Sequence, residues 1–209
     1  MFAAIQAGGE NALNAKQLLT KEQEQFYASV QGYQVAHDYY YHFGHSWVHL
    51  EKGGRLKIGV DDFIMKILGQ ASKMFLPTIG TKLKQHERGI VMARNGYRAE
   101  FLTPVTGTVF DVNKKAMRNP DVIHSDPYKE GWLLIVEAAD VSLDLKQLFL
   151  GQQSISWMEE ENKKLMKLIG PEYERLAATG GEPIGDLFGH FPEIGWDKLV
   201  QTFLRGENP

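Results

Sequence analysis

The chain has 209 residues, of which 43% are hydrophobic and 23% charged, and its net charge is −3. This composition is typical of a globular protein with one compact domain and appendages, or with two small domains. Cysteine is absent, which excludes disulfides, thiolate metal sites and cysteine nucleophiles. The charge balance gives no reason to expect nucleic acid as a partner. No apolar run approaches about 18 residues, and residues 1–10 lack the basic region of a signal peptide, so we expect a cytoplasmic protein without membrane insertion.

The beginning of the chain predicts an arm followed by a helix. Residues 1–20 are small and polar, which favours a loose arm. Thr20 and Gln23 have the spacing of a capping box, in which each side chain satisfies a backbone N–H group of the first helical turn. We therefore expect a helix from Thr20 to about Val30.

A β-rich region follows. Residues 38–50 are rich in aromatic and β-branched side chains, which favour a strand. Gly53-Gly54 predicts a hairpin turn, and residues 55–60 alternate in polarity like a returning strand. Asp61 and Asp62 then open a short helix that Gly69 closes, because acidic side chains complement the N–H groups at a helix start.

The strongest local signal is Asn95-Gly96, which lies between the apolar residues 90–93 and a second strand-like run over 97–102. Asn and Gly tolerate the positive φ of a tight two-residue turn, so this stretch predicts a β-hairpin. Short strands are also expected over 74–77 and 79–83, and a buried strand over 131–137. Residues 114–121 are expected to be helical or irregular, and residues 124–127 a turn.

The chain becomes helical from about Val141. Ser156 and Glu159 have the spacing of a second capping box, and Gly170-Pro171 predicts the end of that helix. Other expectations for this region are the i,i+4 ion pairs Glu159–Lys163 and Glu160–Lys164, helices over 172–179 and 196–204, and an irregular docking segment over 183–196.

The order of these motifs resembles the H protein family of the glycine cleavage system. The matching motifs are collinear over residues 45–138, about half of the chain. They are His45-Ser46-Trp47-Val48, Ile58-Gly59-Val60-Asp61-Asp62-Phe63, Leu76-Pro77-Thr78-Ile79-Gly80, Pro104-Val105-Thr106-Gly107, and Asn119-Pro120 with Asp126-Pro127-Tyr128 and Gly131-Trp132-Leu133.

The resemblance implies an α+β chain built on a barrel-sandwich hybrid, a lipoyl-domain-like fold of two small antiparallel sheets. We expect an N-terminal arm and helix over residues 1–38, the barrel over 39–140, and a C-terminal helical extension over 141–209. H proteins are carriers rather than enzymes. In the family, a lysine at a hairpin tip is lipoylated and shuttles an aminomethyl group and electrons between partner enzymes.

The expected attachment lysine is missing from this chain. In the family it lies eight residues before the proline of the Pro-Val-(Ser/Thr)-Gly turn, and counting back from Pro104 gives Gly96. No lysine occurs between Lys84 and Lys114, so a small shift of alignment does not supply one. The neighbouring arginines stay protonated and cannot accept lipoate. We therefore expect no catalytic residues, no bound cofactor and a partner-binding hairpin formed by Arg94, Asn95, Gly96, Tyr97 and Arg98.

Two other groups of residues have a structural and a functional interpretation. The histidines His37, His42, His45 and His49 are close in sequence, but three or four converging ligands are needed for a metal site, and we expect none here. The hairpin region is locally basic, which indicates either a solvated surface or an electrostatic docking surface for an acidic protein. The basic residues are Lys82, Lys84, Arg88, Arg94 and Arg98, against Glu87 and Glu100.

The sequence thus predicts a non-lipoylated, H-protein-like adaptor within a larger, possibly redox, multi-protein assembly. The alternative is a true lipoyl carrier of the glycine cleavage system with an unconventional attachment site, for which lipoate would be the cofactor.

Overall fold

The structure is a computed structural model that describes residues 26–138, 140–170 and 184–205. The predicted arm over 1–20, the expected helix start at Thr20 and the expected helix over 172–179 lie outside these ranges. No helix in the described part of the chain is long and apolar enough to cross a membrane.

The described residues form eleven strands and seven α-helices. The strands are β1 (Tyr27–Val30), β2 (Tyr33–Ala36), β3 (Tyr40–Tyr41), β4 (Ser46–Leu50), β5 (Leu56–Val60), β6 (Lys73–Phe75), β7 (Lys82–Leu83), β8 (Arg88–Arg94), β9 (Tyr97–Leu102), β10 (Gly107–Val112) and β11 (Leu134–Glu137). The helices are α1 (Asp62–Leu68), α2 (Lys114–Arg118), α3 (Asp121–Ser125), α4 (Ser142–Leu145), α5 (Gln152–Ile169), α6 (Leu187–His190) and α7 (Trp196–Leu204), with a 3-10 turn over Pro192–Ile194.

Two antiparallel sheets form the body of the molecule. The larger has six strands in the order β3-β4-β5-β11-β10-β7, and the smaller has three in the order β6-β8-β9. β1 and β2 form a separate hairpin beside them. The expected fold class, a barrel-sandwich hybrid of two small antiparallel sheets with helices appended, is confirmed.

A close contact between two strands of the larger sheet holds the centre of the core. Trp47 on β4 lies opposite Gly59 on β5, and a Cβ atom on Gly59 would lie 2.3 Å from the Trp47 ring. The indole Nε1 donates a hydrogen bond to the Val60 carbonyl (2.9 Å), which satisfies the one polar atom of a fully buried side chain. Glycine is therefore required at position 59 because the indole fills the space of a side chain.

Helix α1 forms as the sequence predicts. Asp61 is its N-cap, and its Oδ1 accepts a hydrogen bond from the Ile64 N–H (2.9 Å). Gly69 ends the helix with φ 72, a conformation that favours glycine. The Gly53-Gly54 turn between β4 and β5 and the final helix α7 are likewise confirmed.

The N-terminal helix does not extend to Val30 as predicted. Residues Tyr27–Val30 form strand β1 and pair with β2 through a two-residue turn at Gln31 (φ 51) and Gly32 (φ 86). The hairpin is attached to the barrel because Asp62 accepts a hydrogen bond from the Gln34 N–H (2.8 Å). Burial of Val30, Tyr33 and Val35 in the core therefore outweighs the local helical preference.

Other predicted boundaries also change. The strand predicted over 38–50 is interrupted between β3 and β4, where His45 has φ 61, and the turn predicted over 124–127 overlaps helix α3. The capping box predicted at Ser156 is wrong because α5 begins at Gln152, with Gly151 as N-cap. The ion pairs predicted on this helix form at i,i+3 instead, as Lys163–Glu160 and Lys164–Glu161.

A buried ionic cluster fastens α5 to the barrel. His45 Nδ1 lies 2.8 Å from Asp61 Oδ2, and His45 Nε2 lies 3.7 Å from Glu161 Oε2 on α5. The three side chains are almost completely inaccessible to solvent. Burial by itself lowers the pKa of His45, but Asp61 and Glu161 outweigh it and raise that pKa from 6.5 to about 9. His45 is therefore an imidazolium at neutral pH.

Stability is expected to fall between pH 6.5 and about 9. The pKa of His45 is higher in the folded state than its ordinary value of 6.5, so its contribution is complete below 6.5 and is lost as pH rises through about 9. The change is on the order of 3 kcal/mol. Urea unfolding measured from pH 6 to pH 9.5 checks it. Glu161→Gln should reduce the slope, and a free energy of unfolding that stays constant over this range would contradict the prediction.

The hairpin turn between β8 and β9 gives a second prediction. Gly96 has φ 91 and a Cβ atom there would meet nothing within 4 Å, so Gly96→Ala adds backbone strain without a steric clash. We expect a loss of roughly 1 to 2 kcal/mol in the free energy of unfolding. Gly185→Ala is the matched control, since position 185 also has room for a Cβ atom and lacks a positive φ. Equal effects of the two substitutions in urea unfolding would refute the strain argument.

Candidate functional site

The β8–β9 hairpin ends in the tight turn that the sequence predicts. Arg94 and Tyr97 are the last paired residues, and Asn95 (φ 47) and Gly96 (φ 91) form the two-residue connection. Positive φ at both positions is the signature of a type I′ turn, whose twist matches that of the flanking strands. Both tip residues are exposed to solvent. The tip therefore presents backbone and one short amide side chain, with no group that could accept an acyl modification.

The two faces of the hairpin have different surroundings because side chains alternate along a strand. Ile90, Met92 and Phe101 point into the core and are fully buried. Arg94 and Tyr97 continue this inner face to the tip, whereas Arg98 belongs to the outer face. The five residues predicted to bind a partner are therefore divided between two faces and the turn.

Arg94 is bound by the C-terminal part of the chain. Its guanidinium makes two parallel contacts with the Asp186 carboxylate, Nη1–Oδ1 at 2.5 Å and Nη2–Oδ2 at 2.6 Å. Its Nη1 also donates to the Leu68 carbonyl at the end of α1. Only 12% of the Arg94 side chain is exposed. The paired guanidinium holds the pKa of Asp186 below its usual value, although partial burial opposes that shift.

Tyr97 packs into an aromatic cluster from the same C-terminal region. Its ring stacks on Trp196 (centroids 5.3 Å apart) and meets the edge of Phe188 (5.0 Å). The Trp196 indole Nε1 donates a hydrogen bond to the Arg98 carbonyl (2.8 Å). We call the contacts of Arg94 and Tyr97 with residues 184–204 the C-terminal clasp. The clasp covers the inner side of the hairpin end and leaves 46% of Tyr97 exposed.

Most of the predicted basic surface is neutralised by ion pairs. Arg88 lies 2.9 Å from Glu100, Lys84 lies 3.9 Å from Glu87, and Arg94 is paired with Asp186. Lys82 and Arg98 have no ion pair within the described residues. A shallow cavity of about 170 Å³ lies beside the base of the hairpin, lined in part by Lys82, Lys84 and Arg88.

The four neighbouring histidines do not converge. His37 is exposed, His45 belongs to the buried cluster with Asp61, and His49 pairs with Glu51 (3.1 Å). His42 Nδ1 accepts from the Gly44 N–H, so its Nε2–H faces His86 Nδ1 (2.7 Å). Among the described residues, no group of three or more His, Cys, Asp or Glu side chains is arranged to hold a metal ion.

His42 and His86 form a polar connection between the barrel and the C-terminal extension. His86 Nε2 lies 3.1 Å from the Gln147 Oε1. This contact completes a series of hydrogen bonds that runs from Gly44 through His42 and His86 to Gln147. Burial, and to a smaller degree the neighbouring His86 and His45, lower the pKa of His42 to about 3. The His42 ring therefore acts as a neutral hydrogen-bonding group in this series.

Several residues around the hairpin were not identified from the sequence. Asp186, Phe188 and Trp196 lie about ninety residues away along the chain, and a bond such as Arg94–Asp186 spans 92 positions. The irregular segment predicted over 183–196 did indicate docking, and its described part, from Ile184 onward, docks on the hairpin of its own chain. Lys73 was not identified from the sequence either. Strand pairing places it opposite Ala93, which lies next to Arg94, the last paired residue before the turn.

Comparison with known proteins identifies the barrel. Residues 39–161 match the family model described as "Glycine cleavage H-protein". The chain is 32% identical over 99 residues to the glycine cleavage system H protein of Coprothermobacter proteolyticus, covering 47% of this chain and 78% of that protein. It is 31% identical over 137 residues to glycine cleavage system H protein 4 of Aquifex aeolicus, covering 66% of this chain and 78% of that protein.

A solved structure also aligns with part of the chain. It is the glycine cleavage system H protein of Mycobacterium marinum, with a TM-score of 0.47 and 24% identity over 50% of this chain and 87% of that one. The family match includes both sheets and the first half of α5, up to Glu161 of the buried ionic cluster. The matched region spans more than half of the 209 residues, and the chain belongs to the glycine cleavage H-protein family.

Proposed function

We propose that this chain is a non-lipoylated member of the H-protein family that acts as a non-catalytic adaptor in a cytoplasmic multi-protein assembly. The observation that carries the proposal is the tip of the β8–β9 hairpin, where Asn95 and Gly96 form a closed two-residue turn without a lysine. An arm that carries a chemical group between enzymes needs an accessible amine at such a tip. Here the residues that flank the turn are committed to internal contacts instead.

The clasp supports the adaptor role in a second way. A swinging arm requires an unobstructed hairpin end, but Arg94 and Tyr97 are held by Asp186, Phe188 and Trp196. The hairpin and residues 184–204 therefore form one composite surface. Such a fixed surface suits stable protein–protein contact, because little conformational entropy is lost when a partner binds a rigid site.

The carrier function remains the second candidate, and Lys73 is the observation that favours it. Strand pairing puts Lys73 opposite Ala93, and its side chain is exposed. A ligase that tolerates a lysine on an edge strand could attach lipoate there. This attachment would differ from the hairpin-tip lysine that the family resemblance implies.

Intact-mass measurement separates the two candidates. We expect the chain, co-expressed with a lipoate–protein ligase and supplied with lipoate, to keep its unmodified mass. Gly96→Lys serves as a test of whether the ligase recognises this barrel once an amine is placed at the tip. An adduct of lipoyl mass on the unaltered chain would refute the proposal, and its loss in Lys73→Arg would assign the attachment site.

The clasp itself is tested by Asp186→Asn. This change removes one charge of a bidentate pair and leaves Arg94, which is only 12% exposed, without its counter-ion. We expect a loss of roughly 1 to 3 kcal/mol in the free energy of unfolding. The matched control is Asp197→Asn on α7, an exposed carboxylate without an ion pair in the described part of the chain; its effect should stay below about 0.5 kcal/mol.

Urea unfolding gives the free energies, and tryptophan fluorescence reports whether Trp196 leaves the Tyr97 ring. If Asp186→Asn behaves like Asp197→Asn by both measurements, the clasp does not hold the C-terminal segment. These point variants are preferable to deletion of residues 141–209, because Glu161 and Leu165 of α5 belong to the buried interior.

A further inference from the structure

We propose that the outer face of the β6-β8-β9 sheet is the docking surface of the adaptor, and that it receives an acidic protein segment carrying an aromatic or aliphatic side chain. The surface consists of Lys73, Phe75, Ala93 and Arg98, and we call it the outer patch. This inference rests on the proposed adaptor function and adds to it the location of the interface and the chemistry of the partner.

Strand register brings the four residues together. Lys73, Ala93 and Arg98 form one row across β6, β8 and β9, and Phe75, Val91 and Glu100 form the row two positions along. Residues two apart on a strand share a face, so both rows lie on the side opposite the buried Met74, Met92 and Ala99. Ala93, with its small side chain, lies between Lys73 and Arg98 in the first row.

The centre of the patch is an exposed aromatic ring between two cations. Phe75 is 40% exposed, although its neighbour Met74 on the same strand, β6, is buried in the core. Lys73 Nζ lies 4.8 Å from the centre of its ring and Arg98 Cζ lies 5.8 Å away. These distances are within the range of cation–π contacts, so the ring keeps both cationic groups close to itself.

The charge of the patch is not balanced by the protein. Neither Lys73 nor Arg98 has an ion pair with any residue that the structure describes. The other two arginines of the sheet are paired, Arg88 with Glu100 and Arg94 with Asp186 of the C-terminal segment. The chain as a whole carries a net charge of −3, so this positive surface is a local departure from its overall character. Carboxylates of a partner would complement the two cations, and an apolar side chain would cover Phe75.

The neighbouring elements favour the outer patch over the rest of the hairpin. The inner face is closed by the core and by the clasp, so Arg94 offers a partner little free surface and one side of the Tyr97 ring is covered by Trp196. The outer face of the sheet, in contrast, carries the exposed side chains of Lys73, Phe75 and Arg98.

Selection of peptides tests the chemistry of the partner. Random twelve-residue peptides displayed on phage would be selected against the full chain, and the enriched sequences synthesised and measured by fluorescence anisotropy. We expect enrichment of Asp and Glu together with Phe, Trp, Tyr or Leu. Lys73→Glu with Arg98→Glu should weaken binding at least tenfold, as should Phe75→Ser, and raising the salt concentration should weaken it as well.

Matched variants control for charge and for exposed apolar surface. Lys52→Glu with Lys146→Glu makes the same change in charge on exposed positions of other elements, and Leu143→Ser removes a side chain that is 68% exposed. Both controls should bind like the unaltered chain. Selected peptides without acidic residues, or equal losses in the controls, would overturn the outer patch. Equally tight binding of a fifteen-nucleotide oligo-dT would also overturn it in favour of nucleic acid.

Failure of the outer patch is distinguishable from failure of the adaptor function. Tagged full-length chain would be purified from its host with and without Lys73→Glu and Arg98→Glu, and co-purifying proteins identified by mass spectrometry. A specific partner retained by the double variant refutes the patch and leaves the adaptor function intact. The absence of any specific partner for the unaltered chain refutes the adaptor function itself, and with it the patch.

Discussion

The contact between His45 and Asp61 joins three parts of this molecule. One carboxylate oxygen of Asp61 caps α1, the other accepts from His45, and the opposite side of the imidazole faces Glu161 on α5. A buried charge without partners would cost several kcal/mol, so each of the three groups depends on the others remaining in place. The rings of Phe63 and Trp157 lie about 5.0 Å from the imidazole and exclude water from the site. The barrel and the helical extension are consequently joined through a buried ionic contact.

This arrangement fixes the frame against which the hairpin is held. Helix α1 begins at Asp61 and ends at Leu68, whose carbonyl accepts from Arg94. The same arginine reaches Asp186 in the C-terminal segment, so the ionic cluster at one end of α1 and the clasp at the other share a single short helix. The hairpin end is therefore supported from the core outwards, and the outer patch lies on the side of the sheet that this support leaves open.

The features that depend on neighbouring residues could be predicted from the sequence. The Asn95-Gly96 turn, the Asp61 cap and the Gly69 end of α1 follow from local backbone chemistry, and the family was identified because its motifs occur in order along the chain. The helix predicted from Thr20 to about Val30 rests on a capping pattern, but Tyr27–Val30 form β1 because they pair with β2 across the Gln31-Gly32 turn. The histidines do not converge in the structure, and the partners of His45 and His42, which are Asp61, Glu161 and His86, do not follow from the sequence.

The clasp and the outer patch could not be derived in the same way. Asp186 is an ordinary carboxylate after a glycine-rich stretch, and nothing near it in sequence indicates an arginine 92 positions earlier. Phe75 reads as a core residue of a short strand, and only the register with Val91 shows that it faces outward. Both features depend on which elements become neighbours in the fold, and local sequence patterns do not determine that.

The two halves of the clasp lie far apart along the chain, so they are not made at the same time during synthesis. Domains fold as they leave the ribosome, beginning at the N-terminus. The hairpin of β8 and β9 is complete well before residues 184–204 have been made, so Tyr97 and Arg94 are uncovered in the nascent barrel. For that interval the emerging chain shows the whole inner side of the hairpin end, which the clasp partly covers in the finished protein. Chaperones and assembly partners that act during translation would thus meet a different hairpin from those that act afterwards.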